Sequence, residues 1–259
     1  PVGRNANRIG GAKFTLNGVT YELAKNSAEV NNLHSGPDYY RDRIWDAEVE
    51  ETALGTTITF GLHSPDGDQG YPGNADITVS YTLTPDNCLK LDYHMVSDAD
   101  TIANFTNHVY FNLGGYKSGS ALDQKVWIDA DYFTATDANS IPTGELVAVK
   151  GTPMDFTEMK PIGRDIQEDY QALKYGNGYD HNWALNHPAG ELSLSAKAED
   201  EKTGRTMEVY TDLPGVQFYT ANSLKTERGK NHAVYTPRCG YCFETQYFPD
   251  AINKPEFAS

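Results

Sequence analysis

Hydrophobic and polar residues alternate with a period of two along most of this chain. Residues 77–83 alternate, residues 84–87 supply turn chemistry, and the alternation resumes over residues 89–95. A similar arrangement joins residues 192–196 to residues 207–211. Because successive side chains of a strand point to opposite faces, each arrangement predicts a β-hairpin.

The rest of the chain continues this pattern with few helical signals. Residues 164–173 are predicted to form a short helix. Six further strands are predicted, at residues 56–62, 125–130, 146–150, 180–185, 216–220 and 240–247. Many short strands with polar turns and little helix are typical of a large antiparallel β-sandwich, so we predict an all-β fold. Since the chain has no repeat and no linker-like change of composition, residues 1–259 are predicted to form a single domain.

The composition limits the kinds of molecule that the protein is expected to bind and the compartment in which it is expected to occur. The chain has 259 residues, of which 39% are hydrophobic, enough for a sizeable core. Its net charge of −15 argues against nucleic acid or an anionic membrane surface, which call for a basic patch. No apolar run approaches the length of a membrane span. The three cysteines cannot all pair, so a disulfide scaffold is disfavoured and a cytoplasmic location is expected.

Residues 106–115, TNHVYFNLGG, combine the strand pattern with polar chemistry. Alternation predicts a strand whose core face carries Val109, Phe111 and Leu113. The opposite face then presents an imidazole, a phenol and an amide, from His108, Tyr110 and Asn112. A strand anchored on one side would therefore hold His108 rigidly on the other.

The same test places polar groups opposite aromatic or aliphatic ones in three more predicted strands. Alternation puts Glu244 and Gln246 on the face opposite Phe243, and Gln217 opposite Phe218. In residues 178–183, GYDHNW, it separates the polar Asp180 and Asn182 from Tyr179, His181 and Trp183. Acids, amides and imidazoles set beside aromatic rings suit a sugar, which has hydroxyls at its rim and C–H faces.

Taken one at a time, these residues also have ordinary structural interpretations. His108 and Glu244 fit solvated side chains, Asp180 fits a turn cap after the loop at residues 176–178, and Arg8 fits a surface ion pair. The aromatic residues fit a core. The spacing of Cys239 and Cys242 occurs in redox and zinc sites, but no second such pair exists, so buried strand thiols are favoured.

Five segments resemble the aldose 1-epimerase (galactose mutarotase) family, in that family's order. They are residues 3–9 (GRNANRI), 32–36 (NLHSG), 106–115 (TNHVYFNLGG), 178–182 (GYDHN) and 244–253 (ETQYFPDAIN). Residues 70–74 (GYPGN) and 214–220 (PGVQFYT) also match the family's pattern. The likeness covers essentially the whole chain.

The resemblance implies a β-supersandwich that requires no metal, nucleotide or covalent intermediate. Ser35 departs from the glycine that usually follows the histidine in this motif. The family's opening strands and last strand are absent from residues 1–259, so we expect a longer natural protein, with sheet edges exposed in this chain.

The resemblance also implies the activity, which is interconversion of the α and β anomers of a hexose such as galactose or glucose. Glu244 would be the base on the C1 hydroxyl and His108 the acid at the ring oxygen. His34 would place or polarise that same oxygen. The implied sugar-binding residues are Asn7, Arg8, Asp180 and Gln217.

Other classes of protein stay open from the residues alone. A glycoside hydrolase would use Glu244 and Asp180 as a pair of carboxylates. A sugar-binding module would keep the aromatic and polar groups without acid–base chemistry. A hexose-phosphate epimerase would need a cationic cluster, for which Arg8, Lys13 and Arg43 are few. The preferred aldose stays open, as does the choice between monomer and homodimer.

Overall fold

A computed structural model of the chain describes residues 1–257 and is built mostly of β-strands, as predicted. Backbone contacts divide the chain into two compact units, Pro1–Phe105 and Thr106–Ser259. Every pairing between strands of residues 1–257 is antiparallel. No helix in these residues is both long enough and apolar enough to cross a membrane.

The first unit contains eight strands in three small sheets. The strands are β1 (Arg8–Ile9), β2 (Lys13–Leu16), β3 (Val19–Glu22), β4 (Asn32–Leu33), β5 (Asp46–Thr52), β6 (Gly55–Ser64), β7 (Ala75–Leu83) and β8 (Leu89–Ser97). β5 to β8 form a four-stranded meander, β2 pairs with β3, and β1 pairs with β4. Short 3₁₀ turns lie at Gly10–Ala12, Tyr40–Asp42 and Asp68–Gly70.

The buried guanidinium of Arg4 fixes the start of the first unit. Arg4 is 0% exposed, and its Nη1 donates to the carbonyl of Pro72 at 2.8 Å while its Nη2 donates to Ser64 Oγ at 2.7 Å. A buried charge is stable only when hydrogen-bonded, and these two partners come from separate segments. The residues that follow, including Asn7 and Arg8, are therefore held in place.

The second unit contains eleven strands and one short helix in residues 106–257. They are β9 (Lys125–Ile128), β10 (Tyr132–Thr136), β11 (Pro142–Ala148), β12 (Lys160–Pro161), α1 (Gln171–Gly176), β13 (Asp180–Ala184), β14 (Ser193–Asp200), β15 (Arg205–Thr211), β16 (Gly215–Tyr219), β17 (Glu227–Arg228), β18 (Val234–Tyr235) and β19 (Cys242–Gln246). Further 3₁₀ turns lie at Lys230–His232 and Ala251–Asn253.

Two sheets of the second unit share one hydrophobic core. One sheet has the order β11-β10-β13-β16-β19 and the other the order β12-β9-β14-β15. Side chains from both sheets meet in the same buried cluster, including Val126, Ala196, Trp183, Phe218 and Phe243. Phe218 stacks on Phe243 with ring centroids 5.2 Å apart. The second unit is therefore an antiparallel sandwich, and one sheet turns its other face away from this core.

Most of the strand predictions are confirmed. The two predicted hairpins are β7–β8 and β14–β15. The strand predicted at residues 146–150 lies earlier, at Pro142–Ala148. The strands β1 to β5, β10, β12, β17 and β18 were not predicted, and five of these nine are only two residues long.

The helix prediction was wrong for residues 164–170, which form turns, and the helix occupies Gln171–Gly176 instead. The carboxylate of Asp165 accepts hydrogen bonds from the buried Lys160 Nζ at 2.7 Å and from Arg164 Nε at 3.1 Å. Both bonds are local in the sequence, and they favour a turn around Asp165. The helix ends at Asn177, which has a left-handed φ of 52°.

The strand predicted at residues 106–115 was also wrong, since only Phe111 makes a β-bridge within TNHVYFNLGG beyond Thr106. Side-chain bonds replace a ladder: Asn112 Oδ1 accepts from the backbone of Gly114, and Asn107 Oδ1 accepts from that of Val109. Val109 is 45% exposed and does not belong to a core face. Phe111 and Leu113 do pack against the core.

Candidate active site

Three adjacent strands of the second unit carry a polar face built from successive cross-strand rows. In one row Asp180, Tyr219 and Cys242 lie opposite each other across β13, β16 and β19. The next row holds Asn182, Gln217 and Glu244. Intervening residues such as Phe218 and Phe243 point into the core. Antiparallel register thus brings Asp180, Gln217 and Glu244, far apart in sequence, onto one surface.

The amides and the carboxylate of this face form a hydrogen-bonded chain across the three strands. Gln217 Nε2 donates to Asp180 Oδ1 at 2.8 Å. Gln246 Nε2 donates to Gln217 Oε1 at 3.4 Å and to Asn182 Oδ1 at 3.1 Å. Gly215 makes room for this chain, because a Cβ there would lie 2.5 Å from Asn182 Oδ1.

The charge of Asp180 sets the direction of this amide chain. An ionised carboxylate only accepts hydrogen bonds, so Gln217 must turn its NH₂ toward Asp180 and its oxygen toward Gln246. Gln246 must then present its NH₂ to that oxygen. Within residues 1–257 this leaves Asn182 Nδ2 and Gln246 Oε1 buried without a hydrogen-bond partner, one donor and one acceptor on the same surface.

We expect Gln246→Glu to destabilise the second unit through this chain. A carboxylate at position 246 would face the oxygens of Gln217 and Asn182, so a buried donor would become a third acceptor. Loss of a buried donor with an unpaired charge in its place costs about 1–3 kcal/mol or more. Chemical denaturation measures the change in the free energy of unfolding.

Gln167→Glu is the matched control for that substitution. Gln167 is exposed, so the same change of charge should move the free energy of unfolding by no more than about 0.5 kcal/mol. Equal stabilities for the two variants would contradict the amide chain.

His108 and Glu244 meet on this polar face. His108 Nε2 lies 3.4 Å from Glu244 Oε1. The carboxylate side chain is 3% exposed, whereas the imidazole is 26% exposed. A buried base next to a partly accessible acid–base group can exchange protons with a molecule bound on the accessible side.

The segment that carries His108 is fixed just after it, by bonds other than those of a strand ladder. Phe111 N donates to the carbonyl of Tyr241 at 2.7 Å, and Tyr241 N donates back to Phe111 at 3.0 Å. Asn112 Nδ2 donates to the carbonyl of Cys239 at 2.8 Å. His108 is therefore held beside β19 by the chain immediately preceding that strand.

The rings of two tyrosines pack near the imidazole. The ring centroids of Tyr110 and Tyr219 lie 5.2 Å and 6.1 Å from that of His108. Burial raises the pKa of both phenols, so their hydroxyls stay protonated at neutral pH. Aromatic faces and phenolic O–H groups beside the acid–base pair provide the mixed surface that a sugar requires.

In the first unit, His34 and Asn7 are tied together through the β1–β4 pair. The backbone N–H of Asn7 donates to His34 Nδ1 at 3.0 Å, and His34 N donates to the carbonyl of Asn7 at 2.8 Å. A backbone amide only donates, so Nδ1 carries no proton and the neutral ring carries its proton on Nε2. His34 is therefore held in the tautomer that can donate a hydrogen bond from Nε2.

The side chain of Ser35 stabilises the unusual backbone conformation of this residue. Its φ of 58° is left-handed, a conformation that favours glycine. Ser35 Oγ accepts from Asn5 N at 2.9 Å and donates to the carbonyl of Asn5 at 3.1 Å. These two bonds offset the strain that a side chain brings there.

Arg8 and Arg43 of the first unit differ in how far other residues of the chain already bind their guanidinium groups. The backbone N–H of Arg8 donates to Asn7 Oδ1 at 2.9 Å. The side-chain Nε of Arg8 is buried without a hydrogen-bond partner among residues 1–257. Arg43 binds Asp68 at 2.6 Å and Asp38 at 2.9 Å. Arg43 is thus committed to two carboxylates and is not a free cation for a phosphate group.

The structure adds Cys242, Asn182, Gln246 and Tyr219 to the predicted site residues. Their alternation with Phe243, Trp183 and Phe218 was the available signal, because it places them on the polar face. Cys242 was predicted as a buried thiol, and it is 0% exposed. The sequence did not predict that its sulfur contacts His108; only the tertiary structure shows this.

Known proteins resemble this chain along its whole length. The family model described as aldose 1-epimerase matches residues 1–259. Galactose mutarotase from Sus scrofa is 41% identical over 257 residues, which are 99% of this chain and 72% of that protein. Aldose 1-epimerase from Haemophilus influenzae is 38% identical over 269 aligned positions, covering 99% of this chain and 73% of that protein.

Solved structures share the fold as well. An aldose epimerase homologue from C. elegans superposes with a TM-score of 0.86 at 25% identity, covering 100% of this chain and 75% of that one. Galactose 1-epimerase from Lactobacillus acidophilus gives a TM-score of 0.84 at 29% identity, covering 96% and 70%. The fold and its polar face therefore define a galactose mutarotase-like β-sandwich.

The sequence matches narrow this class to one family. The chain belongs to the aldose 1-epimerase family, whose members are isomerases.

Proposed function

We propose that this chain is a mutarotase that interconverts the α and β anomers of a hexose such as galactose or glucose. The observation that carries the proposal is the 3.4 Å approach of His108 Nε2 to Glu244 Oε1 on a polar face of the family's fold. Mutarotation needs one group that takes a proton and one that gives a proton, and these are two such groups.

In the proposed reaction, Glu244 takes the proton of the C1 hydroxyl while the imidazolium of His108 gives one to the ring oxygen. The C1–O5 bond breaks and C1 becomes an aldehyde. Rotation about the C1–C2 bond exposes the other face of the carbonyl. On reclosure His108 takes back the O5 proton, O5 bonds to C1, and Glu244 returns its proton to the C1 oxygen.

Each group therefore acts in both directions, and the residue types suit this. A carboxylate is an ordinary base at neutral pH, and an imidazole both donates and accepts protons there. The 3% exposure of the Glu244 side chain keeps water away from the base, which strengthens its interaction with a bound hydroxyl.

The remaining residues are proposed to bind and place the sugar. Asp180 accepts from ring hydroxyls, with Gln217 fixed beside it by the 2.8 Å bond to Oδ1. From the first unit, His34 donates from Nε2 to the ring oxygen, and Asn7 and Arg8 bind hydroxyls. In this proposal residues 1–259 act as one catalytic domain.

Polarimetry tests the function directly. Freshly dissolved α-galactose, and α-glucose in parallel, should reach the same final rotation faster with the protein than without it. A binding module leaves the time course unchanged. Release of sugar from aryl glycosides, without faster mutarotation, would instead assign a hydrolase.

We expect Asp180→Ala to weaken sugar binding while the acid–base pair stays in place. The substitution removes a charge-assisted hydrogen bond worth about 1.5–3 kcal/mol, which corresponds to a KM higher by roughly ten- to a hundredfold. Asp180→Asn is the sharper comparison, because its amide oxygen still accepts from Gln217 and only the charge is lost. Measured KM values should rank native, then Asn, then Ala; a KM unchanged in both variants would contradict the assignment.

We also propose a cytoplasmic location. Cys88, Cys239 and Cys242 are all free thiols, a state that suits a reducing compartment. Imaging the tagged natural protein in its own cells tests this, and retention in an oxidising compartment would refute it.

A further inference from the structure

The sulfur of Cys242 lies directly beneath the proposed acid. Cys242 Sγ is 3.4 Å from His108 Nδ1, the ring nitrogen on the side away from the 3.4 Å contact between Nε2 and Glu244. The register of β19 creates this arrangement, because Cys242 and Glu244 are two residues apart and point to the same face. One strand therefore contacts both nitrogens of the imidazole.

We propose that Cys242 is the positioning residue of His108, holding Nδ1 so that Nε2 stays the nitrogen that exchanges protons. This inference rests on the proposed mutarotase function. The alternative, a thiol that only fills space in the core, would give its sulfur no role at the imidazole.

The contacts around the ring support this role. Tyr110 and Tyr219 pack on His108 through their aromatic rings, which do not distinguish ring nitrogens from ring carbons. Glu244 does distinguish them, but it must turn to the C1 hydroxyl and become neutral during the reaction. The 3.4 Å contact of Cys242 Sγ with Nδ1 also distinguishes the two nitrogens, and it opposes rotation of the ring by half a turn about its Cβ–Cγ bond.

A neutral thiol suits this task in every protonation state of the ring. Burial, and then the nearby charges of Glu244 and Asp180, raise the pKa of Cys242, so it remains S–H at neutral pH. The sulfur accepts weakly from Nδ1–H in the imidazolium and in the neutral ring that has given up its Nε2 proton. In the neutral ring that carries its proton on Nε2, the S–H donates to Nδ1. His34 differs, because the backbone amide of Asn7 can only donate to its Nδ1.

The test compares Cys242→Ser, which keeps a hydroxyl donor and acceptor, with Cys242→Ala, which keeps neither. Cys239→Ala is the matched control, since only the backbone carbonyl of Cys239 binds Asn112 in this region. Polarimetry gives kcat and KM. Correlation spectra of ¹⁵N-labelled imidazoles follow His108, whose signals are assigned by their loss in His108→Asn.

We expect Cys242→Ala to lower kcat about two- to tenfold, the range of one hydrogen bond, with KM nearly unchanged. It should also shift the His108 Nδ1 signal, while Cys242→Ser stays closer to the native protein in both measurements. Cys239→Ala should match the native protein. A His108 Nδ1 signal unchanged in Cys242→Ala, or a serine variant as slow as the alanine variant, would overturn the proposal.

The spectra also separate this proposal from the proposed function. If the native protein fails to accelerate mutarotation, the function is refuted. The Nδ1 comparison between the alanine and serine variants still decides whether Cys242 positions His108, because it needs no turnover.

Discussion

Replacing Glu244 with glutamine should remove most of the mutarotation rate and leave the fold intact. The amide is nearly isosteric with the carboxylate but cannot take the C1 proton. A general acid–base group contributes about 10²–10⁴-fold to a rate, so kcat should fall by that factor. The fold should survive because β19 keeps its pairing with β16 and a buried charge becomes a neutral group.

Polarimetric rate and melting temperature, measured on one sample, check this expectation. Glu208→Gln is the control: its carboxylate is 46% exposed and pairs with Lys197 on the neighbouring strand. Water screens such a surface pair, so its loss should leave both the melting temperature and the rate close to native. Turnover near the native value in Glu244→Gln would remove Glu244 from the role of base.

His108→Asn should lower turnover steeply, by about 10²–10⁴-fold, while changing stability little. The segment around it is held by the backbone bonds between Phe111 and Tyr241 and by the Asn112 side chain, none of which the substitution touches. The imidazole is 26% exposed, so its removal opens no closed core cavity. We expect a loss of less than about 1 kcal/mol in the free energy of unfolding.

A structural histidine would give the reverse result, with clear destabilisation and a native rate per folded molecule. That result would move the acid role to His34. The control is His63→Asn, because His63 is 61% exposed and pairs with Asp76 in the first unit. It should change neither the rate nor, beyond about 0.5 kcal/mol, the stability.

The alternation of side chains along each strand was readable from the sequence, and with it the composition of the polar face. Asp180, Gln217 and Glu244 alternate with Trp183, Phe218 and Phe243, and every one of these lies on the predicted side. This works because the direction of a side chain in a strand is a local property of the backbone with a period of two. The all-β class and two hairpins follow from the same local property and from turn residues.

The hydrophobic pattern did not show where polar side chains would bond to nearby residues instead of a helix or strand forming. Residues 106–115 alternate like a strand, yet beyond Thr106 only Phe111 makes a β-bridge, and the Asn107 and Asn112 side chains bind the N–H groups of Val109 and Gly114. Residues 164–170 resemble a helix, but Asp165 is bound by Lys160. In both segments hydrogen bonds from nearby side chains replaced the regular structure that the hydrophobic pattern predicted.

The sequence by itself therefore determined the all-β class, the separation of polar from core residues in the strands of the polar face and, through its motifs, the family. The tertiary structure alone decided that β13, β16 and β19 are neighbours. This neighbourhood lets Gln246 donate to Gln217, which in turn donates to Asp180. It also decided that Cys242 lies beneath His108. The physical reason is that side-chain direction depends on adjacent backbone, whereas strand order and register depend on how residues distant in sequence pack into one core.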